Sequence, residues 1–454
     1  MEVQPLNNLK VKVSHRQILS IALPIALAVL IPQINLLTNS IFLGRLSEEA
    51  LGNAGITGVY YLIFAVAGHG MNNAMQIIFS RHAGGGSAHH FADIMNQGIR
   101  LSFIFALGCI LFTWFIAPIF MQHVADPHAF PIEMKFIKIR ILGLPFLLIF
   151  QMGNAFLIAT LNSRYLMIGF LFEAAINILL DYFLIFGKAG FPAMGFNGAA
   201  VASVIAECVG MFAVFGLLSF SGLRKQYNLL KHFKYHKSFS SDIKKVATPL
   251  VFQFVLSVTT WLIFFLLIES RGITAKAISN TMRNAFGIAG IFIWAFAGTT
   301  NAMVSNLLGQ GSANLVIKAV KMISLWSVGF CGLLVLALNI HPGFFFRLFG
   351  QDEAFVSAGI PVIRMVSLGI IINSLANVWL NAVTGTGKTR VSFLFEWISI
   401  SLYMAYTWYF MKVNYISLAM AWSNELIYWS ATLIMAVWYM RSKRWETHSI
   451  NLYR

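Results

Sequence analysis

Apolar runs long enough to cross a lipid bilayer recur from one end of this 454-residue chain to the other, near 16–43, 52–80, 94–120, 134–160, 166–187, 194–219, 246–269, 275–308, 317–341, 357–384, 391–411 and 416–440. A helix rises about 1.5 Å per residue, so about 20 apolar residues cover a hydrocarbon layer of about 30 Å. No water-soluble core absorbs twelve such segments. Only 11% of the residues are charged and the mean hydropathy is +0.74, whereas a soluble protein of this length carries roughly twice that charged fraction. The predicted class is an all-α polytopic membrane protein with about twelve transmembrane helices. The first run is expected to stay in the chain, because it is too long for a signal peptide and no small-residue cleavage site follows it.

The net charge of +16 raises nucleic acid as a partner, but its placement points to membrane topology. With the N-terminus inside, twenty Lys and Arg fall on cytoplasmic ends, among them Lys10, Arg81, Arg164, Lys388 and Arg454, against about nine on the other side, including Arg45, Arg140, Arg271 and Lys412. That is the positive-inside pattern, and it places both termini in the cytoplasm. Cys109, Cys208 and Cys331 lie within predicted spans without paired spacing, so neither a disulfide framework nor a zinc site is indicated.

Residues 220–245 form the longest polar stretch between spans, and they hold the largest basic cluster. The chain is thereby divided into a cytoplasmic segment (1–15), an N-lobe of six helices (16–219), a basic linker (220–245), a C-lobe of six helices (246–440) and a tail (441–454). The lobes resemble each other at a steady offset. Pro24 and Pro249 stand 225 apart, as do Ser80 and Ser305; Arg140 and Arg364 stand 224 apart, and Arg164 and Arg390 stand 226 apart. A constant offset over four landmarks indicates duplication. Six spans per repeat gives both lobes one orientation, the plan of transporters that rock one half against the other.

Asp181 lies inside the apolar run 174–186. A carboxylate within a span costs roughly 2.5–3.5 kcal/mol on insertion scales and marks a functional site by default. Glu173, Asn177 and Asp181 recur every four residues, which puts them on one helix face. Their oxygens suit a hard cation or a proton. The competing reading is an acid that joins neighbouring helices through hydrogen bonds. Glu396 has two readings, a substrate-facing acid or a buried partner for Arg364, and Glu207 and Glu425 stand between packing or ion pairing and transport. Pro24 and Pro32 in the first span each remove a backbone hydrogen bond and predict a bend, static or hinged.

Leu23-Pro24-Ile25, Asn39-Ser40-Ile41-Phe42-Leu43-Gly44-Arg45, Ser80-Arg81-His82-Ala83-Gly84, Asn162-Ser163-Arg164, Asn177-Ile178-Leu179-Leu180-Asp181 and Val383-Thr384-Gly385-Thr386-Gly387 together resemble the MATE family, the multidrug and toxic compound extrusion transporters. The resemblance runs over nearly the whole chain, with Gln253 and Pro249 following it in the second half. It implies a bacterial inner-membrane antiporter that expels amphipathic, often cationic compounds in exchange for protons or sodium, with no cofactor beyond the coupling ion. Carried over by position, the cation-coupling set is Asp181, Asn177, Asn154, Asn39 and Ser203. Two departures stand out: Asn39 replaces an aspartate, and Ser257 and Asn373 occupy positions that hold acids in one branch. Glu173, Glu396, Gln253, Ser257 and Asn373 make up a secondary set for substrate or coupling, and Pro24 and Pro32 the hinge. The partners expected are small molecules and the lipid bilayer, with the chain acting as a monomer.

Two rival functions stand beside this one. A flippase for a lipid-linked saccharide would want further spans or a cavity ringed by arginines. A membrane-embedded enzyme would need clustered His, Cys or carboxylates, and His89-His90 is the only adjacent histidine pair. The stretch Ala382–Thr389 fits a permissive phosphate-loop pattern but falls between two spans with no preceding strand, so no nucleotide is expected.

Overall fold

A computed structural model describes residues 9–124, 127–231, 234–269, 271–347, 353–410 and 416–446. Lys412, Arg454, the start of the N-terminal segment and the end of the tail lie outside the described residues. Twelve long helices follow one another among them: α1 (His15–Leu46), α2 (Glu48–Gly84), α3 (Ala88–Gln122), α4 (Phe130–Ala159), α5 (Arg164–Phe186), α6 (Phe196–Phe220), α7 (Lys237–Glu269), α8 (Ile273–Gly309), α9 (Val316–Ile340), α10 (Glu353–Gly385), α11 (Thr389–Trp408) and α12 (Asn424–Arg441). α3 passes through a π-helical turn at Phe112–Ile116 and α4 through a 3-10 turn at Ile141–Gly143. The first ten are long and apolar enough to cross a membrane. α11 and α12 are the shortest of the twelve, at 20 and 18 residues, and carry Arg390, Glu396, Glu425 and Arg441, so apolarity alone does not single them out.

The predicted duplication is visible in the helix ends. α2 and α8 both run for 37 residues and start 225 positions apart. The 3-10 turns Ala88–His90 and Ala313–Leu315, and the left-handed Gly86 and Gly311, keep the same offset. One boundary differs from expectation. α7 starts at Lys237, inside the segment read as linker, because Ser240, Ile243, Val246, Ala247 and Leu250 recur at helical spacing and are buried.

The helices gather into two compact units. The first holds Leu27–Val251, and the second holds Val11–Ala26 together with the described residues from Phe252 on. α1 and α7 therefore each contribute to both units, and each changes unit two residues after a proline, Pro24 or Pro249. α1 continues through Pro24 and Pro32 as one helix.

In the first unit α5 packs along α6, and α4 lies against α2, α3 and α6. The linker is strapped to this unit: Gln97 donates to the Lys234 carbonyl (2.7 Å), His236 meets Asp93 (3.2 Å), and Arg100 lies 4.7 Å from the Tyr235 ring. In the second unit α10 packs against α8, α9 and α12. Trp422 anchors it, donating to Ser279 (3.1 Å) with Phe264 edge-on at 5.2 Å and Phe286 stacked at 5.9 Å. The segment before α1 is tied to α8, where the Val11 amide donates to Asn306 and Gln310 donates to the Val11 carbonyl (both 3.1 Å).

One buried ion pair crosses the first unit. Arg140 of α4 grips Glu207 of α6 through two nitrogens, at 2.6 and 2.8 Å, and lies 3.6 Å from the Tyr61 ring centre, while the Tyr61 hydroxyl donates to Glu207 at 2.8 Å. Gly143 makes room, since a Cβ there would stand 2.0 Å from the Glu207 carboxylate. Removing one member of such a pair strands a buried charge and costs about 3–5 kcal/mol, whereas replacing both by apolar groups costs far less. Glu207→Ala is therefore expected to lower the thermal unfolding midpoint of the solubilised protein sharply, and Arg140→Met with Glu207→Leu to recover most of it. Equal losses in the single and double variants would contradict a pair held by mutual charge compensation.

Candidate cation site

The polar stripe of α5 runs down one face of α6. Glu173 packs over Gly210, where an added Cβ would meet its side chain at 3.0 Å. One turn on, Asn177 donates to the Ser203 hydroxyl at 3.4 Å. Further along, α6 approaches so closely that a Cβ on Gly198 would stand 2.7 Å from the Leu184 carbonyl group. Asp181 lies between these last two contacts. α5 then stops at Gly187, whose left-handed backbone (φ 66°) suits glycine and lets Lys188 cap the Phe183 carbonyl at 3.1 Å.

Asp181 is 0% exposed, and neither carboxylate oxygen has a hydrogen-bond partner among the described residues. The stretch of α6 from Gly198 to Ser203 explains part of this, since Ala199, Ala200 and Ala202 are fully buried and have no side-chain donors. Arg140 acts on Asp181 electrostatically, yet its hydrogen bonds go to Glu207. A bare carboxylate in such surroundings costs several kcal/mol. The position therefore calls for a proton or a metal cation. Other acceptors left without donors in the first unit are Asn154 Oδ1 and Gln151 Oε1 on α4, Asn35 Oδ1 on α1 and one oxygen of Glu173.

Of the predicted coupling set, Asn177 and Ser203 are joined directly and Asp181 follows one turn along the same helix face. Asn154 is buried, and Asn39 is half-buried on α1. Three residues beyond Asn39, Phe42 touches Tyr182 and Phe186 of α5, with ring centres 6.2 and 5.9 Å apart. That contact sets Asn39 and Asp181 at neighbouring levels of α1 and α5 without a hydrogen bond between them. Pro24 is half-buried and Pro32 exposed.

The secondary set divides. Glu173 stays on the α5 stripe. Glu396 on α11 is buried and accepts a hydrogen bond from the Tyr428 hydroxyl of α12, with Ser257 and Gln253 of α7 facing the same carboxylate. The alternative in which Arg364 pairs with Glu396 is corrected: Arg364 is exposed and Glu396 has other partners. Asn373 accepts from Asn377 of its own helix, and Asn381 donates to the Asn377 carbonyl at 3.0 Å. That four-residue asparagine spacing was readable in the chain and went unread. Ion pairing was one reading of Glu207 and the structure bears it out, but its partners Arg140 and Tyr61, 67 and 146 positions away, leave no local signal. Glu425 is likewise buried, accepting from Trp429 at 2.9 Å. The glycine-rich turn at 385–388 spends its amides internally, on the Ala382, Val383 and Thr384 carbonyls and the Thr386 hydroxyl, which leaves no cradle for a phosphate.

The MatE family model matches residues 24–183 and again 249–409, two matches that begin at the offset read from the duplicated landmarks. The probable multidrug resistance protein NorM of Shewanella oneidensis is 22% identical over 409 residues, 86% of each chain. That of Synechocystis sp. is 20% identical over 387 residues, 83% of each. A crystal structure of MATE in the straight conformation superposes with a TM-score of 0.88 at 14% identity, covering 98% of this chain and 100% of the other. The family match carries the transporter class, and the structural likeness carries the fold. The chain belongs to the MatE family: it is an all-helical, multi-pass membrane transporter of that family.

Proposed function

We propose that the chain is an antiporter, exporting amphipathic and mainly cationic compounds in exchange for protons or sodium through Asp181. The observation that carries this reading is the fully buried carboxylate with both oxygens unpartnered. A proton or a cation entering there removes the cost of an isolated charge, and its departure restores it. Alternating access needs such a difference between two environments of one group. Asn177, Ser203, Asn154 and Asn39 act as supporting ligands, with Glu173 further along the stripe.

The rest of the expected setting belongs to the same reading: a monomer in the bacterial inner membrane with both termini in the cytoplasm. The bend lies in α1, at Pro24 or Pro32, and Pro24 is supported by its place two residues before α1 passes from one compact unit to the other. One proton moving down 100 mV releases about 2.3 kcal/mol, roughly a fiftyfold concentration ratio. That suffices for useful export.

The test is transport of a fluorescent organic cation in proteoliposomes under separate proton and sodium gradients. Asp181→Asn is expected to fall to the rate of protein-free liposomes under the gradient that drives the wild type, while still binding the cation. Normal pumping by that variant under both gradients would refute coupling at Asp181. Asn39→Asp adds a carboxylate at the same level of α1, and it is expected to keep export while shifting its pH profile. A profile superimposable on the wild type would exclude Asn39 from the site.

A further inference from the structure

α12 ends in a turn that does more than stop the helix. The Ser442 amide closes the last turn onto the Trp438 and Tyr439 carbonyls, and its hydroxyl donates to the Tyr439 carbonyl at 2.8 Å. Lys443 then takes a left-handed backbone (φ 56°), an unfavourable conformation for a residue with a Cβ. Trp445 holds it there: its side chain is buried, and its indole donates to the Met440 carbonyl at 2.8 Å. The chain therefore doubles back, and the Arg444 guanidinium lies 5.5 Å from the centre of the Trp438 ring.

Beside this turn is a cavity of about 540 Å³, lined by Leu433, Ile434, Val437, Trp438, Arg441 and Ser442. Its wall is the outer face of α12. Ile434 and Trp438 are 68% and 57% exposed, whereas Thr432, Ala436 and Met440 on the opposite face are buried. Ile434, Trp438 and Arg441 follow one another at spacings of four and three residues, so the groove is apolar along one helix face and basic at its end. With the tail in the cytoplasm, as the charge pattern predicts, Trp438 stands where indoles settle, at the boundary between lipid chains and headgroups.

We propose that this groove binds an anionic phospholipid, with an acyl chain along Leu433, Ile434 and Val437 and the phosphate between Arg441 and Arg444. A guanidinium suits that place, because its fork pairs with phosphate oxygens while its flat face rests on an aromatic ring. Neither Arg441 nor Lys443 has an ion pair among the described residues, and the acid nearest in sequence, Glu446, is exposed. A free anion would use the basic rim and leave the apolar wall empty. A zwitterionic lipid would bring a cation of its own to a rim that is already basic. The positive-inside tendency accounts for arginines at this helix end. It does not account for a buried tryptophan that folds the tail back, nor for a cavity beside the stacked Arg444 and Trp438.

Native mass spectrometry of the purified full-length protein, with equimolar dioleoyl phosphatidylglycerol and dioleoyl phosphatidylcholine, reads the preference directly. The wild type is expected to retain phosphatidylglycerol over phosphatidylcholine. Arg441→Gln with Arg444→Gln is expected to weaken that preference by about fivefold for each arginine removed. Arg224→Gln with Lys225→Gln takes the same charge from the linker and is expected to leave it unchanged. Equal retention of the two lipids by the wild type would overturn the proposal. So would equal losses in the two double variants, which would reduce the binding to diffuse charge. Glycerophosphoglycerol, the headgroup without chains, is expected not to displace the lipid; displacement at matched concentration would make this a bare anion site and would also overturn the proposal. Binding is read without transport, so the outcome stands apart from coupling at Asp181.

Discussion

The fold is organised around the cost of holding a carboxylate away from water. In lipid or in a helix interior that cost is met by an opposite charge, by hydrogen-bond donors, or by a proton or ion that comes and goes. This chain shows the first two within a few helices, and the third is the role proposed for Asp181. Glu207 is held by Arg140 and Tyr61. Glu425 and Glu396 have neutral donors, Trp429 and Tyr428. Asp181 has neither charge nor donor in contact with it. The first arrangement is permanent and the last is incomplete, and a transporter needs an incomplete one.

The duplication explains how both kinds arise in one scaffold. Paired helices of equal length and offset, such as α2 and α8, repeat the same backbone, so the two units inherit the same meeting of their fifth and sixth helices. Side chains then diverge within it. α5 and α6 bring Asn177 to Ser203 beside the bare Asp181, whereas α11 and α12 bring Glu396 to Tyr428. Straps recur as well, on α3 in one lobe and on α8 in the other. The segment before α7 is tied down by Gln97 and Asp93, and the segment before α1 by Asn306 and Gln310.

Much of this was legible in the chain itself. Twelve apolar runs dictate twelve helices because lipid leaves the backbone no partner but its own, and the helix-period stripe 173–177–181 put Asp181 on the face that meets α6. The limits of that reading are physical as well. Ser240 to Leu250 looked like linker because its average composition is polar, while its buried face is apolar only at helical spacing. Arg140 was counted as a topological charge because its partners lie far along the chain and only packing brings them together. Glu396 resembled Glu173 in its flanking residues, but the repeat offset places them two positions out of step, on different helix faces.

The central claim is that binding an exported compound and emptying Asp181 are one linked event. It is tested most directly by adding a fluorescent organic cation to purified protein in weakly buffered, gradient-free solution and recording the protons or radioactive sodium set free as it binds. The account predicts release from the wild type, and a smaller release from Asp181→Asn at matched occupancy of the cation. Equal release from both proteins would contradict it.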